Sequence, residues 1–152
     1  MADERSLQQH LDAIIPGARL ETTALPDCPS LRLMLLNADY PQGALDTEAL
    51  QRVMDNPLYW VFCWASGQVL AQHLLAHREE VAGKRVLDFG CGSGVVAIAA
   101  ALSGAREVIA CDNDPLALAA TGSNARLNGV DLVLSPEFDA VDGPVDLLIA
   151  AD

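Results

Sequence analysis

Positive charge is scarce in this chain. Nine Lys and Arg stand against 21 Asp and Glu in 152 residues, a formal net charge of −12. Both halves carry the deficit, five basic against eleven acidic residues before Lys84 and four against ten from there on, so no acidic tail accounts for it. Affinity for nucleic acid comes mainly from cationic contacts with phosphates. Such a surface argues against direct binding to DNA or RNA and for attraction to basic protein surfaces. Cysteines are few and scattered: Cys28, Cys63, Cys91 and Cys111 form no CxxC pair and no metal-ligand spacing. Three lie in apolar or glycine-rich contexts, where a free thiol behaves as a small hydrophobe, and a reducing cytoplasm fits them best. No run reaches the roughly 18 apolar residues of a membrane span. The opening MADERSLQQH is charged and polar, which reads against a secretory signal. Repeats and low-complexity tracts are missing too.

What is present is enough for one core. At 51% hydrophobic, a chain of this length buries roughly two thirds of its unfolded surface on folding. Residues 1–56 read as a small α+β appendage. A helical pattern at Leu7, Leu11, Ile14 and Ile15 precedes two apolar runs, Ala18 to Ala24 and Leu31 to Leu36. Pro26, Asp27, Pro29 and Ser30 separate the runs as a hairpin turn should, and Asp46 to Asp55 reads as a helix halted before Pro57. From residue 57 to 152 the pattern sharpens. The aromatic cluster Tyr59, Trp60, Phe62 and Trp64 leads into Ser66, the expected N-cap of a helix over 67–81. Strands are expected over 85–89, 107–111, 131–134 and 145–150, with helices over 95–102 and 115–127, the latter capped by Asp114 with proline in its first turn. Apolar strands alternating with helices predict an α/β, Rossmann-like parallel sheet covered on both faces.

The sharpest feature is Val86-Leu87-Asp88-Phe89-Gly90-Cys91-Gly92-Ser93-Gly94, a strand running into a glycine-rich turn and then a helix. Glycines at alternate positions let the backbone bend tightly, approach a ligand and present the helix N-terminus to it. The spacing is G-x-G-x-G, whereas the dinucleotide fingerprint is G-x-G-x-x-G. Asp88 stands two residues before the first glycine, where a carboxylate would repel a pyrophosphate and suit a ligand carrying an ammonium and a sulfonium, as S-adenosylmethionine does. The next strand ends in Ala110-Cys111-Asp112-Asn113-Asp114-Pro115. An acid at that tip, 20 residues beyond Gly92, is placed to accept hydrogen bonds from both ribose hydroxyls. The plain alternative is that Asp88 and Asp112 are ordinary strand-end acids; their register with the glycine loop speaks against it.

VLDFGCGSG followed by ACDNDP resembles the cofactor signature of class I, seven-strand S-adenosylmethionine-dependent methyltransferases. Asn56 to Gln68, with its tryptophans, is similar to the segment before the first core helix in protein lysine methyltransferases of the electron-transfer-flavoprotein β-subunit type and their nicotinamide-N-methyltransferase-like relatives. The resemblance covers nearly the whole chain. It implies S-adenosylmethionine as cofactor and methylation of a protein lysine or a small amine. It implies that Gly90, Gly92 and Gly94 cradle the methionine part with Asp88 beside its amino group, that Asp112 holds the ribose, and that Trp64 flanks the cofactor. Cys91 and Asn113 belong to the same cofactor-binding stretches. In that branch the residue before a D-x-x-Y or D-x-x-F motif lies against the cofactor and the motif faces the acceptor, which implies those roles for Ala151 and Asp152. Only four core strands, in the expected order 3-2-1-4, can be counted where the family has seven, so the sequence reads as truncated after the fourth. The last strand, DLLIA, would be an open edge, shielded by a homodimer in one alternative and left in a natural half-domain in another.

Two other function classes stay open: a nicotinamide-dependent oxidoreductase, and a noncatalytic S-adenosylmethionine-binding or interaction module. No metal site is expected. His73 and His77 are four apart on a helix, but Leu74 takes the place where a zinc protease needs Glu. Cys91 reads as a small loop filler rather than a nucleophile, and of the aromatics at 59–64 only Trp64 reads as functional.

Overall fold

The alternation of apolar strands and helices takes physical form in a computed structural model that describes residues 4–41, 43 and 45–151. The chain runs α1 (Glu4–Ile14), β1 (Leu20–Leu25), β2 (Cys28–Leu36), α2 (Thr47–Asp55), α3 (Ala65–Ala76), β3 (Arg85–Phe89), α4 (Val95–Leu102), β4 (Glu107–Cys111), α5 (Pro115–Leu127), β5 (Val133–Ser135) and β6 (Leu147–Ala150). β1 and β2 form the expected antiparallel hairpin. The other four strands form a parallel sheet in the order β5-β4-β3-β6, the 3-2-1-4 arrangement expected of the core strands.

The central strands are apolar in their middle residues because both of their faces are covered, with Arg85 and Glu107 at their starts and Asp88 near the end of β3 as the charged positions. Val86, Leu87, Ile109 and Ala110 are buried. α4, whose sequence is VVAIAAAL, buries every residue from Val95 to Ala100. Gly67 lets α3 approach it closely: a Cβ there would stand 3.0 Å from Val95 Cγ1. At the sheet's flanks burial weakens. Val133 of β5 and Leu148 of β6 are half exposed, which is what short outer strands show.

α3 departs from expectation at both ends. It begins at Ala65 with Trp64 at the N-cap position, so Ser66 lies inside the first turn instead of capping it. It ends at Ala76, and a separate 3-10 turn follows over Arg78–Glu80. The tighter turn rotates the chain and delivers Val81, wholly buried, into the main core. β2 begins at Cys28, three residues before the expected run, so Pro26 and Asp27 alone make the turn and Pro29 and Ser30 belong to the strand. The remaining strand and helix boundaries agree to within two residues. α5 starts as expected, with Asp114 Oδ1 accepting from the Leu116 amide at 2.8 Å.

Residues 1–56 pack on the rest of the chain in two places: Leu25, Cys28, Leu31 and Leu33 of the hairpin enter the main core with α3 and α4, and a second contact centres on α5. Ala117, Ala119 and Ala120 share an apolar cluster with Leu7 and Leu11 of α1, Met34 of β2, and Trp60 and Val61. Its polar positions are buried as well. Asn124 is fully enclosed; its Oδ1 accepts from the Met34 amide at 2.8 Å and its Nδ2 donates to the Ser93 carbonyl at 2.8 Å. One turn on, Asn128 Oδ1 accepts from the Arg32 amide at 2.9 Å, and its Nδ2 donates to the Arg32 carbonyl at 2.6 Å. Residues two apart on a strand are roughly 6.6 Å apart, and residues four apart on a helix roughly 6 Å. The two asparagines therefore match the hydrogen-bonding edge of β2. Replacing Asn124 with Ala strands two buried groups, each worth about 1–3 kcal/mol. Chemical denaturation of Asn124→Ala should show a loss of about 2–4 kcal/mol; a change below about 0.5 kcal/mol would contradict this account.

Candidate cofactor-binding site

β3 carries two buried apolar residues and then Asp88, still paired with Ala110 and Ile149, before Phe89 ends the strand and the glycine turn begins. Every part of that turn is tied down. The amides of Gly90 and Cys91 both donate to the Cys111 carbonyl at the end of β4, at 2.8 and 3.0 Å. The Gly92 amide donates to Asp112 Oδ2 at 2.9 Å, and the Thr121 hydroxyl of α5 donates to the Gly92 carbonyl at 3.1 Å. Asn124 holds the next carbonyl, that of Ser93. Gly94 closes the turn with φ +85°, and a Cβ there would stand 2.9 Å from Thr121. Only glycine satisfies both the conformation and the close approach.

The two carboxylates sit differently. Asp88 is 2% exposed, and its Oδ2 accepts from the Ala97 amide in the first turn of α4 at 3.0 Å. Burial pushes its carboxyl well above the usual range, to about 7, against the pull of the Ala97 amide; the nearby charge of Asp112 adds to the rise. Asp112 is half-buried. Besides Gly92 it accepts, at Oδ1, from the Asp114 amide at 3.0 Å. The carboxylate thus braces both the glycine turn and the start of α5, and each oxygen keeps acceptor capacity beyond one amide.

Above this floor lies a cavity of about 480 Å³, lined by Tyr59, Trp64, Gly67, Asp88, residues 90–93, Val95, Val96, Asp112 and Ala151. That volume is within the usual range for small-molecule sites. It brings together seven residues singled out from the sequence: Trp64, Asp88, Gly90, Cys91, Gly92, Asp112 and Ala151. A second hollow of about 400 Å³ shares Gly90 and Asp112 with it and continues over Phe89, Asn113 and residues 136–139. Asn113 belongs to that second hollow and not to the first. Gly94 faces Thr121 instead of the cavity. Asp152 lies outside the described residues.

The sequence reading missed Tyr59, Gly67, Ser93, Val95 and Val96 as lining residues, and the stretch 136–139. Gly67 could have been found, since glycine inside a helix marks a close approach. Pro136 and Phe138 follow a strand at the carboxyl edge of a parallel sheet, where ligands bind. Trp64 is held by its own segment, its Nε1 donating to the Tyr59 carbonyl at 3.0 Å. Cys91 lies against the Thr121 hydroxyl at 3.3 Å. Burial pushes its thiol far up, partly opposed by Thr121, so it stays protonated, and a protonated thiol is a poor nucleophile. The imidazoles of His73 and His77 stack on each other at 4.3 Å, and Glu80 pairs with His73 at 2.9 Å. Among the described residues no three His, Cys, Asp or Glu side chains gather as a metal site would require.

Residues 70–151 match the family model described as ribosomal protein L11 methyltransferase (PrmA). The chain belongs to this family. A Xenopus laevis relative, the electron transfer flavoprotein β-subunit lysine methyltransferase, is 36% identical over 135 residues, which cover 87% of this chain and 54% of the relative. A solved ribosomal protein L11 methylase from Lactobacillus delbrueckii subsp. bulgaricus superposes with a TM-score of 0.52 at 38% identity, covering 59% of this chain and 47% of that one. The Thermus thermophilus 16S rRNA N2 G1207 methyltransferase shares the fold alone, with a TM-score of 0.58 at 16% identity over 89% of this chain and 33% of its own. The class I methyltransferase fold and the resemblance seen in the glycine loop and the Trp segment are thereby borne out. This PrmA-family chain spans about half, or less, of the length of these relatives, down to 28% for a Danio rerio lysine methyltransferase.

The buried carboxyl has a consequence for stability. Asp88 titrates near 7 in the folded protein and near 3.9 in an unfolded chain. The folded state thus binds the proton more tightly. Its contribution to stability is fully present below about pH 4 and is lost as pH rises through about 7. Asp88→Asn should remove that slope. Melting curves of the two proteins between these pH values should converge at the acid end and separate toward neutrality, the variant being the more stable there; parallel curves would refute the assignment.

Proposed function

We propose that this PrmA-family chain binds S-adenosylmethionine in the cavity above the glycine turn and serves transfer of its methyl group to nitrogen, the acceptor being a lysine side chain of a protein. The observation that carries this reading is the charge of the lining: it contains Asp88 and Asp112 and, among the described residues, no Lys, Arg or His. A diphosphate would meet two carboxylates and no cation there. A ligand with an ammonium and a sulfonium meets compensating charge. When bound, the cofactor supplies an electrophilic methyl carbon on a sulfur cation.

The chain's own residues then have four tasks. Gly90, Cys91 and Gly92 bring backbone, without bulky side chains, against the methionine part. Asp88 faces its ammonium, and an ionised Asp88 favours that contact, so binding draws the carboxyl toward its charged form. Asp112 accepts from the ribose hydroxyls with the lone pairs that Gly92 and Asp114 leave over. Trp64, Tyr59, Val95 and Val96 exclude water from the reacting end, since alignment and desolvation are most of what such a transfer needs from a protein. The second hollow, with Phe89 and Phe138 in edge contact at 6.0 Å, suits the adenine ring. A lysine acceptor must shed its proton, at a cost of roughly 4–5 kcal/mol at pH 7 from a pKa near 10.4. The role assigned to Asp152, next in sequence to Ala151, is to ease that step.

A protein lysine is preferred over a small amine because the chain is strongly acidic and because relatives carry the name lysine methyltransferase. Calorimetry with S-adenosylhomocysteine and NAD side by side tests the reading. The wild-type chain should bind the former and not the latter, and Asp112→Ala should weaken that binding at least about tenfold, or about 1.4 kcal/mol. Binding of NAD, or equal affinities for wild type and variant, would overturn the assignment. Binding without methyl transfer to any protein of a lysate would leave a cofactor-binding module in place of an enzyme.

A further inference from the structure

A third hollow, of about 610 Å³, adjoins the cofactor cavity and shares Tyr59 and Asp112 with it. It lies between α1, the end of α2 and the start of α5, and apart from Tyr59, Asp112 and Asn113 its lining residues have no part in the proposed cofactor site. Its floor is apolar, with Leu58 and Ala117 buried beneath Ala13, Ile14 and Leu116. Its rim is anionic: Asp55, Asp112 and Asp114 line it, and His10 is the one basic residue that does so among those described. Arg52 is close by, but its guanidinium donates to the Ile14 carbonyl at 3.3 Å and is not part of the lining.

Three exposed aromatic rings cluster beside the two hollows: Tyr59 lines both, Trp64 lines the cofactor cavity, and Phe62 packs against Trp64. The segment buries Trp60 and Val61 and turns the residues on either side outward, leaving Tyr59 62%, Phe62 41% and Trp64 45% exposed. Their rings touch, at 6.1 Å for Tyr59 and Trp64 and 5.4 Å for Phe62 and Trp64. Three mutually supported aromatics beside a ligand cavity are a contact surface, whereas single exposed hydrophobes need no explanation.

We infer that the rings of Tyr59, Phe62 and Trp64 and the apolar, acid-rimmed groove behind them dock a basic segment of the methyl-accepting protein. Lysine and arginine lay methylene stems along apolar surface while their charged heads reach carboxylates, and a cation over an aromatic face gains further attraction. The groove offers both kinds of wall in sequence, and the net charge of −12 steers such a partner toward it. This inference rests on the methyltransferase reading, and it adds the face from which the acceptor arrives.

The test uses a short fluorescent peptide alternating Lys with Gly and Ser, added to the full chain saturated with S-adenosylhomocysteine. Calorimetry first establishes that the chain binds the cofactor product; failure at that stage sinks the cofactor reading and this inference with it. Asp55→Lys should then weaken peptide binding about tenfold and Phe62→Ser about threefold, with S-adenosylhomocysteine affinity unchanged in both. Glu79→Lys, an equal charge change on an exposed turn outside the groove, should leave peptide affinity within about twofold. Equal losses for Asp55→Lys and Glu79→Lys would mean diffuse attraction only and would overturn the docking site, as would a cofactor-loaded wild type that ignores the peptide.

Discussion

Two asparagine side chains one turn apart, Asn124 on α5 and Asn128 at its C-cap, hold this structure in register. Asn124 and Asn128 present amides to the outer edge of β2 at the spacing its own backbone requires, so the hairpin edge is satisfied without another strand. Asn124 also spans to the Ser93 carbonyl. The same buried side chain thereby fixes the N-terminal hairpin and the glycine turn against one helix. Thr121, a turn earlier, holds Gly92 and leaves room only for glycine at position 94. Apolar packing supplies most of the free energy of this arrangement, but it is non-directional. The polar seam is what specifies the relative position of its parts.

The floor of the cleft works under an opposing demand. Ionised carboxylates are costly to bury, yet Asp88 is enclosed at the end of β3 with one backbone amide for company. The fold tolerates it at neutral pH as a group poised to ionise when compensating charge arrives. Asp112 resolves the same demand by other means. It stays nearer solvent, and its two amide contacts make it part of the scaffold whether or not a ligand is present. A fold able to host many chemistries carries two carboxylates at this cleft and, among the described lining residues, no Lys, Arg or His, which is the ground of the cationic-cofactor proposal.

Much of this was legible from the residues in order. The parallel sheet, its strand order, the glycine turn, and the meeting of Asp88 and Asp112 at one cavity follow from apolar strands alternating with helices and from signals at strand ends, whereas Trp64 and Ala151 were placed there by the family resemblance. Such signals are local, and proximity at the carboxyl edge of a parallel sheet follows from topology. The limits of α3 were not legible. Ser66 has the chemistry of a cap, but the close approach of Gly67 to Val95 and the burial of Val81 decide where the helix runs, and both are contacts with distant segments.

The chain order by itself determined the architecture and the anionic character of the cleft, because hydrophobic period, turn chemistry and strand-tip acids act within a few residues of where they are written. Only the tertiary structure decided that α5 clamps hairpin and loop together through Asn124, that Tyr59 and Gly67 join the cavity wall, and that Tyr59 also lines an acid-rimmed groove beside the exposed rings of Phe62 and Trp64. Each of those depends on which segments approach across the fold, and that approach is set by packing of buried surfaces far apart in sequence, which no local pattern encodes.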